Sequence, residues 1–350
     1  SLQGGPGEPA LLISGPGNEL AGQTRLLSDD SLRLAVSSSA VAETLPDQSL
    51  ASDTTTLEQL IQGPGPTDEA VWPEVKIEID QTRWGHPLGG VSVRLRGTYT
   101  PVAADFGGEV VVSIAGETID RWPAENGGVI DRTITIPDRL LKRSTTLVVL
   151  VHTTGDPGHC GDYLPELLII DGGTEIRVQT SNPPAPQGFQ SLPQALTPNI
   201  RIGIGPDAFA DTARAAQIMV GLQRASYLPL AVEVTTLEEA LASAEPAILI
   251  SAGGWNNQAN PLPFSADKGR ITVTGLDPRG QSMTLDLDPA KGFGSLQVLF
   301  DGKRTMLVAT STDVPGQLDE RWRYLAAESG RWSGLIGRSL ISAPGSEPIA

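Results

Sequence analysis

His152, His159, Cys160 and Asp162 fall in one short stretch of the sequence, and all are side chains that can ligate a metal. Cys beside His is also the pairing that activates a thiolate nucleophile. Their spacing fits no metal motif, and neighbours such as His159 and Cys160 reach one shared ion awkwardly. Packing explains Cys160 more simply, and turn capping explains Asp162. No metal and no cofactor is expected from this stretch.

A second chemistry is stacking. Sugars present C–H faces to flat rings and hydroxyls to polar side chains at the ring edge. Trp72, Trp84, Tyr99, Phe106, Trp122 and Tyr163 all lie between positions 72 and 163. Trp84 stands in Thr82-Arg83-Trp84-Gly85-His86, and Trp122 in Asp120-Arg121-Trp122-Pro123, each at a strand end beside charged groups. Both are candidate sugar platforms; the competing role is packing, the usual fate of large aromatics. Trp255 and Asn256, in Gly253-Gly254-Trp255-Asn256-Asn257, follow the apolar run Ala247–Ser251, on the edge where α/β folds place ligands. There the competing role is a glycine-tightened loop that covers a sheet.

Gly203-Ile204-Gly205 sits between a strand and a helix, where phosphates are often cradled. It lacks the third glycine of a dinucleotide fingerprint, and Asp207 and Asp211 open the helix with charges that repel phosphate. The sequence holds no Gly-x-Ser-x-Gly elbow, no His-Glu-x-x-His pair and no P-loop. The acidic neighbours Asp29-Asp30 and Glu238-Glu239 point apart on any regular element, which suits a glycosidase dyad poorly.

These residues are carried by elements whose period changes along the chain. Residues 9–48 read strand, Gly/Pro turn, helix, strand. They match in pattern the later run Met306–Leu340, as the closing β-α-β of a preceding α/β domain would. Residues 49–74 carry a Gly/Pro/Thr linker composition. From Val75 the alternation is two: Val75–Asp80, Val91–Arg96, Val110–Ile114, Ile130–Ile136, Thr146–His152, Leu167–Ile170 and Glu175–Val178 predict an antiparallel β-sandwich or jelly roll over 75–180. Asp138–Lys142 adds one helical turn. Residues 181–198 read as a second linker. Over 199–345 strands alternate with helices, predicting a flavodoxin-like, mostly parallel sheet with Gly294–Phe300 as a helix and Trp332–Ser342 extended.

Lys plus Arg number 25 against 41 Asp plus Glu, a formal charge of −16. Such a surface repels nucleic acid and anionic lipid, so neither is an expected partner. One cysteine in 350 residues excludes an intrachain disulfide. No apolar run reaches transmembrane length, and the chain reads as a fragment whose targeting and anchoring segments lie outside it.

Taken together, Val91–Pro101, Gly128–Arg143, Cys160-Gly161-Asp162, Phe209–Arg224 and Leu296–Thr312 resemble the periplasmic or extracytoplasmic accessory protein of bacterial cellulose synthase, closest to its actinobacterial members. The resemblance covers most of residues 57–345. It implies alternating jelly-roll, carbohydrate-binding-like and flavodoxin-like domains, and a place outside the cytoplasmic membrane. It also implies two partners: a nascent glucan-like polysaccharide and a membrane glycosyltransferase on which a membrane anchor docks. That anchor is absent from this sequence. The Cys-Gly-Asp stretch brings Asp162 and Tyr163 in as carbohydrate ligands beside Trp84, Trp122, Trp255 and Asn256. The expected function is therefore a non-catalytic accessory subunit that guides a glycan. The alternatives are a jelly-roll glycoside hydrolase or lyase, and a purely structural assembly module.

Overall fold

A computed structural model of the chain describes residues 2–3, 10–11, 49–61, 74–102, 107–154, 167–264, 271–276, 282–287, 292–312, 314–326 and 330–342. The chain divides into two compact units, Ser1–Ser49 and Leu50–Ala350. In the first, strands β1 (Leu2–Gln3) and β2 (Ala10–Leu11) pair antiparallel. The β-α-β expected over 9–48 otherwise lies outside the described residues.

The second unit opens with β3 (Thr54–Thr56) and helix α1 (Leu57–Ile61). There follow β4 (Glu74–Asp80), β5 (Leu88–Tyr99), β6 (Gly107–Ile114), β7 (Glu117–Pro123), β8 (Val129–Thr135), β9 (Ser144–Thr154), β10 (Leu168–Ile170) and β11 (Glu175–Thr180). Every pairing among these strands is antiparallel. One sheet sets β8, β5, β11 and β3 side by side, with β10 also on β5; the other runs β4-β9-β6-β7. Period-two alternation explains the packing. Val75, Ile77 and Ile79 of β4 and Val91, Val93 and Leu95 of β5 enter a single core shared by both sheets. Glu74, Lys76, Glu78, Ser92, Arg94 and Arg96 point outward. Each fully buried aliphatic side chain contributes about 1.5–3 kcal/mol.

Strand β7 is not announced by the sequence, because an edge strand needs few apolar residues. It offers only Ile119 and Trp122 to the core, half-buried. The β6–β7 hairpin turns on Ala115 and Gly116 at φ 50° and 82°. Two left-handed residues define the turn whose twist matches paired strands, and alanine is the wrong occupant for the first. Ala115→Gly is expected to raise stability by about 0.5–1 kcal/mol, read as a higher urea midpoint; an unchanged or lower midpoint would refute the turn assignment.

Among the described residues, both expected linkers carry structure. Within 49–74, β3 pairs with β11 and extends the sheet. Within 181–198, two 3-10 turns, Gly188–Ser191 and Gln194–Leu196, bury Phe189, Leu192 and Leu196 in the second core. The Pro/Gln/Ser composition suggested a tether, but three large apolar residues make this segment a packed strap.

The rest of the unit comprises β12 (Asn199–Ile204), α2 (Ala208–Arg224), β13 (Ala231–Thr236), α3 (Leu237–Ala242) and β14 (Ala247–Ser251). It continues with β15 (Ile271–Leu276), β16 (Ser282–Leu287), β17 (Gly294–Phe300), β18 (Thr305–Ser311), α4 (Pro315–Ala326), α5 (Arg331–Gly334) and β19 (Ser339–Ser342). A six-stranded sheet runs β13-β12-β14-β18-β17-β19. Its first four strands are parallel, and β17 and β19 join antiparallel. β15 and β16 form a separate antiparallel hairpin. Strands β14 and β18 are buried almost end to end, as strands covered on both faces must be. One face packs on α2, α4 and the strap, the other on α3 and the Trp255 loop.

Gly294–Phe300, expected as a helix, is the strand β17. A short, nearly continuous apolar run fits either element by periodicity alone. Gln297 rewards the strand: fully buried, it exchanges hydrogen bonds of 2.8 Å with both backbone groups of Phe264. The segment expected to be extended over Trp332–Ser342 instead begins in helix α5. Among the described residues, antiparallel pairings predominate and helices are few.

Candidate functional site

Register places a polar groove on the outward face of β8, β5 and β11. Arg94 lies opposite Thr133 on one side and Glu175 on the other; Ser92 lies opposite Thr135 and Arg177. Ser92, Arg94, Asp131, Thr133, Glu175 and Arg177 line an open groove of about 430 Å³. That volume lies within the usual range for small-molecule sites. Arg94 makes a two-pronged contact with Asp131: Nε donates to Oδ1 at 2.9 Å and Nη2 to Oδ2 at 3.0 Å. Arg177 donates to Glu175 through Nε. The hydrogen bonds from Arg94, aided by the charge of Arg96, hold the Asp131 carboxyl below its usual range. The lining is thus a lattice of fixed donors (guanidinium), fixed acceptors (carboxylate) and two hydroxyls that do both. None of the lining residues is aromatic.

The residues singled out in the sequence are not brought together. Trp84 is 2% exposed and sits in the sandwich core, its Nε1 donating to the Ser52 carbonyl at 3.0 Å. Its neighbours form the joint between sandwich and α/β half rather than a platform. Thr82 Oγ1 accepts from the Tyr227 backbone N–H at 2.8 Å, and the Arg83 guanidinium lies 3.9 Å from the centre of the Tyr227 ring. Gln81, fully buried, donates to the carbonyls of Lys142 and Ala185, and Thr197 Oγ1 donates to the carbonyl of Gly85 at 2.5 Å. Trp84 is therefore corrected from a candidate ligand to a core residue beside this joint.

Trp122 is half-buried at the end of β7, the strand end expected for it. The Arg132 guanidinium lies 4.8 Å from its ring centre and makes a two-pronged contact with Asp120 at 2.7 and 3.1 Å. β7 and β8 are edges of opposite sheets. The Asp120–Arg132–Trp122 stack therefore ties them together, covering part of the face a sugar would use. Trp255 packs against the α3-side core and donates through Nε1 to the Asn260 carbonyl at 2.9 Å. Asn256 is exposed beside it, and Asn257 Oδ1 ties the same loop by accepting from Ala259 and Asn260. This loop is built to hold itself. Asp162 and Tyr163, with His159 and Cys160, lie outside the described residues. Among the described residues there is no cluster of three or more His, Cys, Asp or Glu arranged to hold a metal ion.

The end of β12, where a phosphate would sit, is occupied by the chain itself. Asp211 Oδ2 accepts from the Gly205 N–H at 3.0 Å, while Arg214 bridges Asp211 at 2.7 Å and Asp319 at 2.8 and 3.1 Å. The glycine turn thus already has a carboxylate partner.

The groove residues do not stand out in the sequence because Ser92, Arg94, Asp131 and Thr133 look like any solvated strand face. Only the register of three strands shows them converging. Comparison with known proteins matches the chain to no family model and to no curated protein. Among the described residues no helix is long and apolar enough to cross a membrane.

Proposed function

We propose that this chain is a non-catalytic glycan-binding and scaffolding module. It would act outside the cytoplasm as an accessory to a cellulose-synthase-like glycosyltransferase. In this reading the sandwich is a jelly-roll sugar binder, and the α/β half is a flavodoxin-like spacer without a nucleotide. The observation that carries it is the groove of Ser92, Arg94, Asp131, Thr133, Glu175 and Arg177. A glycan hydroxyl both donates and accepts, and this lining offers it paired donors and acceptors along extended strands. Binding fits the groove better than hydrolysis does. A glycosidase acid must hold its proton near neutral pH, whereas Arg94 keeps Asp131 ionised. Without an aromatic lining, recognition would rest on hydrogen bonds rather than stacking.

Affinity electrophoresis through gels containing different glucans tests this. The wild-type chain should be retarded by at least one glucan. Arg94→Ala should weaken that retardation by roughly tenfold or more, the loss expected for a charge-assisted hydrogen bond. The fold should be untouched, because an exposed ion pair contributes little stability. Retardation unchanged in Arg94→Ala and Thr133→Ala would rule the groove out.

A further inference from the structure

Helix α2 turns an apolar stripe toward solvent. Phe209, Ala213, Ala216 and Val220 recur at spacings of four, three and four, which places them on one side of a helix. All four are exposed, Phe209 by 91% and Val220 by 52%. The opposite side, with Ala215, Ile218 and Leu222, is the one the core uses. The neighbouring edge strand also leaves apolar residues uncovered. Val232 and Val234 pair in register with Ile200 and Ile202, so they share the α2 face of the sheet, yet both are about half exposed. Single exposed apolar residues need no explanation, but a stripe of four along one side of a helix does.

We propose that this face joins two copies of the chain, with their α2 helices antiparallel about a twofold axis. Three features select a second copy as the occupant. The stripe is large-small-small-large, so in an antiparallel pair Phe209 of one copy meets Val220 of the other, and the alanines allow close approach at the axis. That self-complementarity is what a twofold interface demands. The face is also free of like charge: between Asp207 and Arg224, the charged residues of the helix are Asp211 and Arg214, both buried and paired with each other. For a molecule of charge −16, an uncharged face is where a second copy meets least repulsion. Finally, Asp207 and Arg224, both exposed, stand at opposite ends of α2. Antiparallel packing brings the Asp207 of each copy toward the Arg224 of the other. A helix of this length, about 25 Å, supplies the seam.

Sedimentation equilibrium of the whole chain over a wide concentration range tests the proposal. The wild type should dimerise reversibly. Phe209→Asp should weaken self-association by roughly 30-fold or more, as loss of a central interface anchor does, with circular dichroism and melting unchanged. Asp207→Arg should weaken it, and the added Arg224→Asp should restore it, an exchange that only the antiparallel arrangement allows. A wild type that stays monomeric throughout, leaving the face for a different protein, would overturn the proposal. So would a dimer indifferent to Phe209→Asp, or a charge exchange without rescue.

Discussion

Arg214→Met is expected to lower the stability of the chain by about 3–5 kcal/mol, the cost of removing one partner from a buried ion pair. Asp211 is 1% exposed and Arg214 6%, so neither charge has water to fall back on. Arg214 satisfies Asp211 through Nη1 and Asp319 through Nε and Nη2, and Asp211 in turn holds the Gly205 N–H. Methionine keeps most of the side-chain volume, so the loss measures the charge network rather than a cavity. Asp319→Asn should cost far less, because that carboxylate is 39% exposed and water screens it. Urea denaturation of the two variants checks the ranking. If Arg214→Met cost no more than Asp319→Asn, the network would not be what closes the end of β12.

The second large effect is expected at the joint. Arg143, just before β9, reaches out of the sandwich to three carbonyls of the α/β half and strap: Ser333 and Phe189, each at 3.1 Å, and Leu192. Burial pushes its guanidinium down, and the nearby Asp80 charge opposes that shift. Arg143→Met strands these three acceptors at the joint. A loss of about 3 kcal/mol follows, together with splitting of one thermal transition into two as sandwich and α/β half uncouple. A single transition with unchanged midpoint in calorimetry would contradict the joint. Asp80 adds a pH signature. Burial raises its carboxyl above 3.8 in the folded chain, despite the hydrogen bonds from Thr82. The folded state thus binds a proton more tightly than the unfolded one. The contribution of Asp80 to stability therefore falls as pH rises from 3.8 through its folded value. Asp80→Asn should remove that slope.

The architecture was legible where a single period dominates. Val75–Asp80 and Val91–Arg96 announce sheet strands, and the buried runs at β14 and β18 announce a covered sheet. It was illegible where composition and packing disagree. Phe189, Leu192 and Leu196 sit in a Pro-rich stretch and yet complete a core. The site was less legible still. A lone tryptophan shows ring chemistry but not burial, so Trp84 suggested a sugar platform and proved to be core. Arg94, Asp131 and Glu175 are far apart in sequence, and strand register alone makes them neighbours.

The most direct test is calorimetric titration of the wild-type chain and Arg94→Ala with the glucan retained in gels, followed by a reducing-end assay on the mixture. Saturable heat in the wild type, lost in Arg94→Ala, with no new reducing ends, is the predicted result. Equal heat in both proteins, or the appearance of cleavage products, would contradict a non-catalytic glycan groove on β8, β5 and β11.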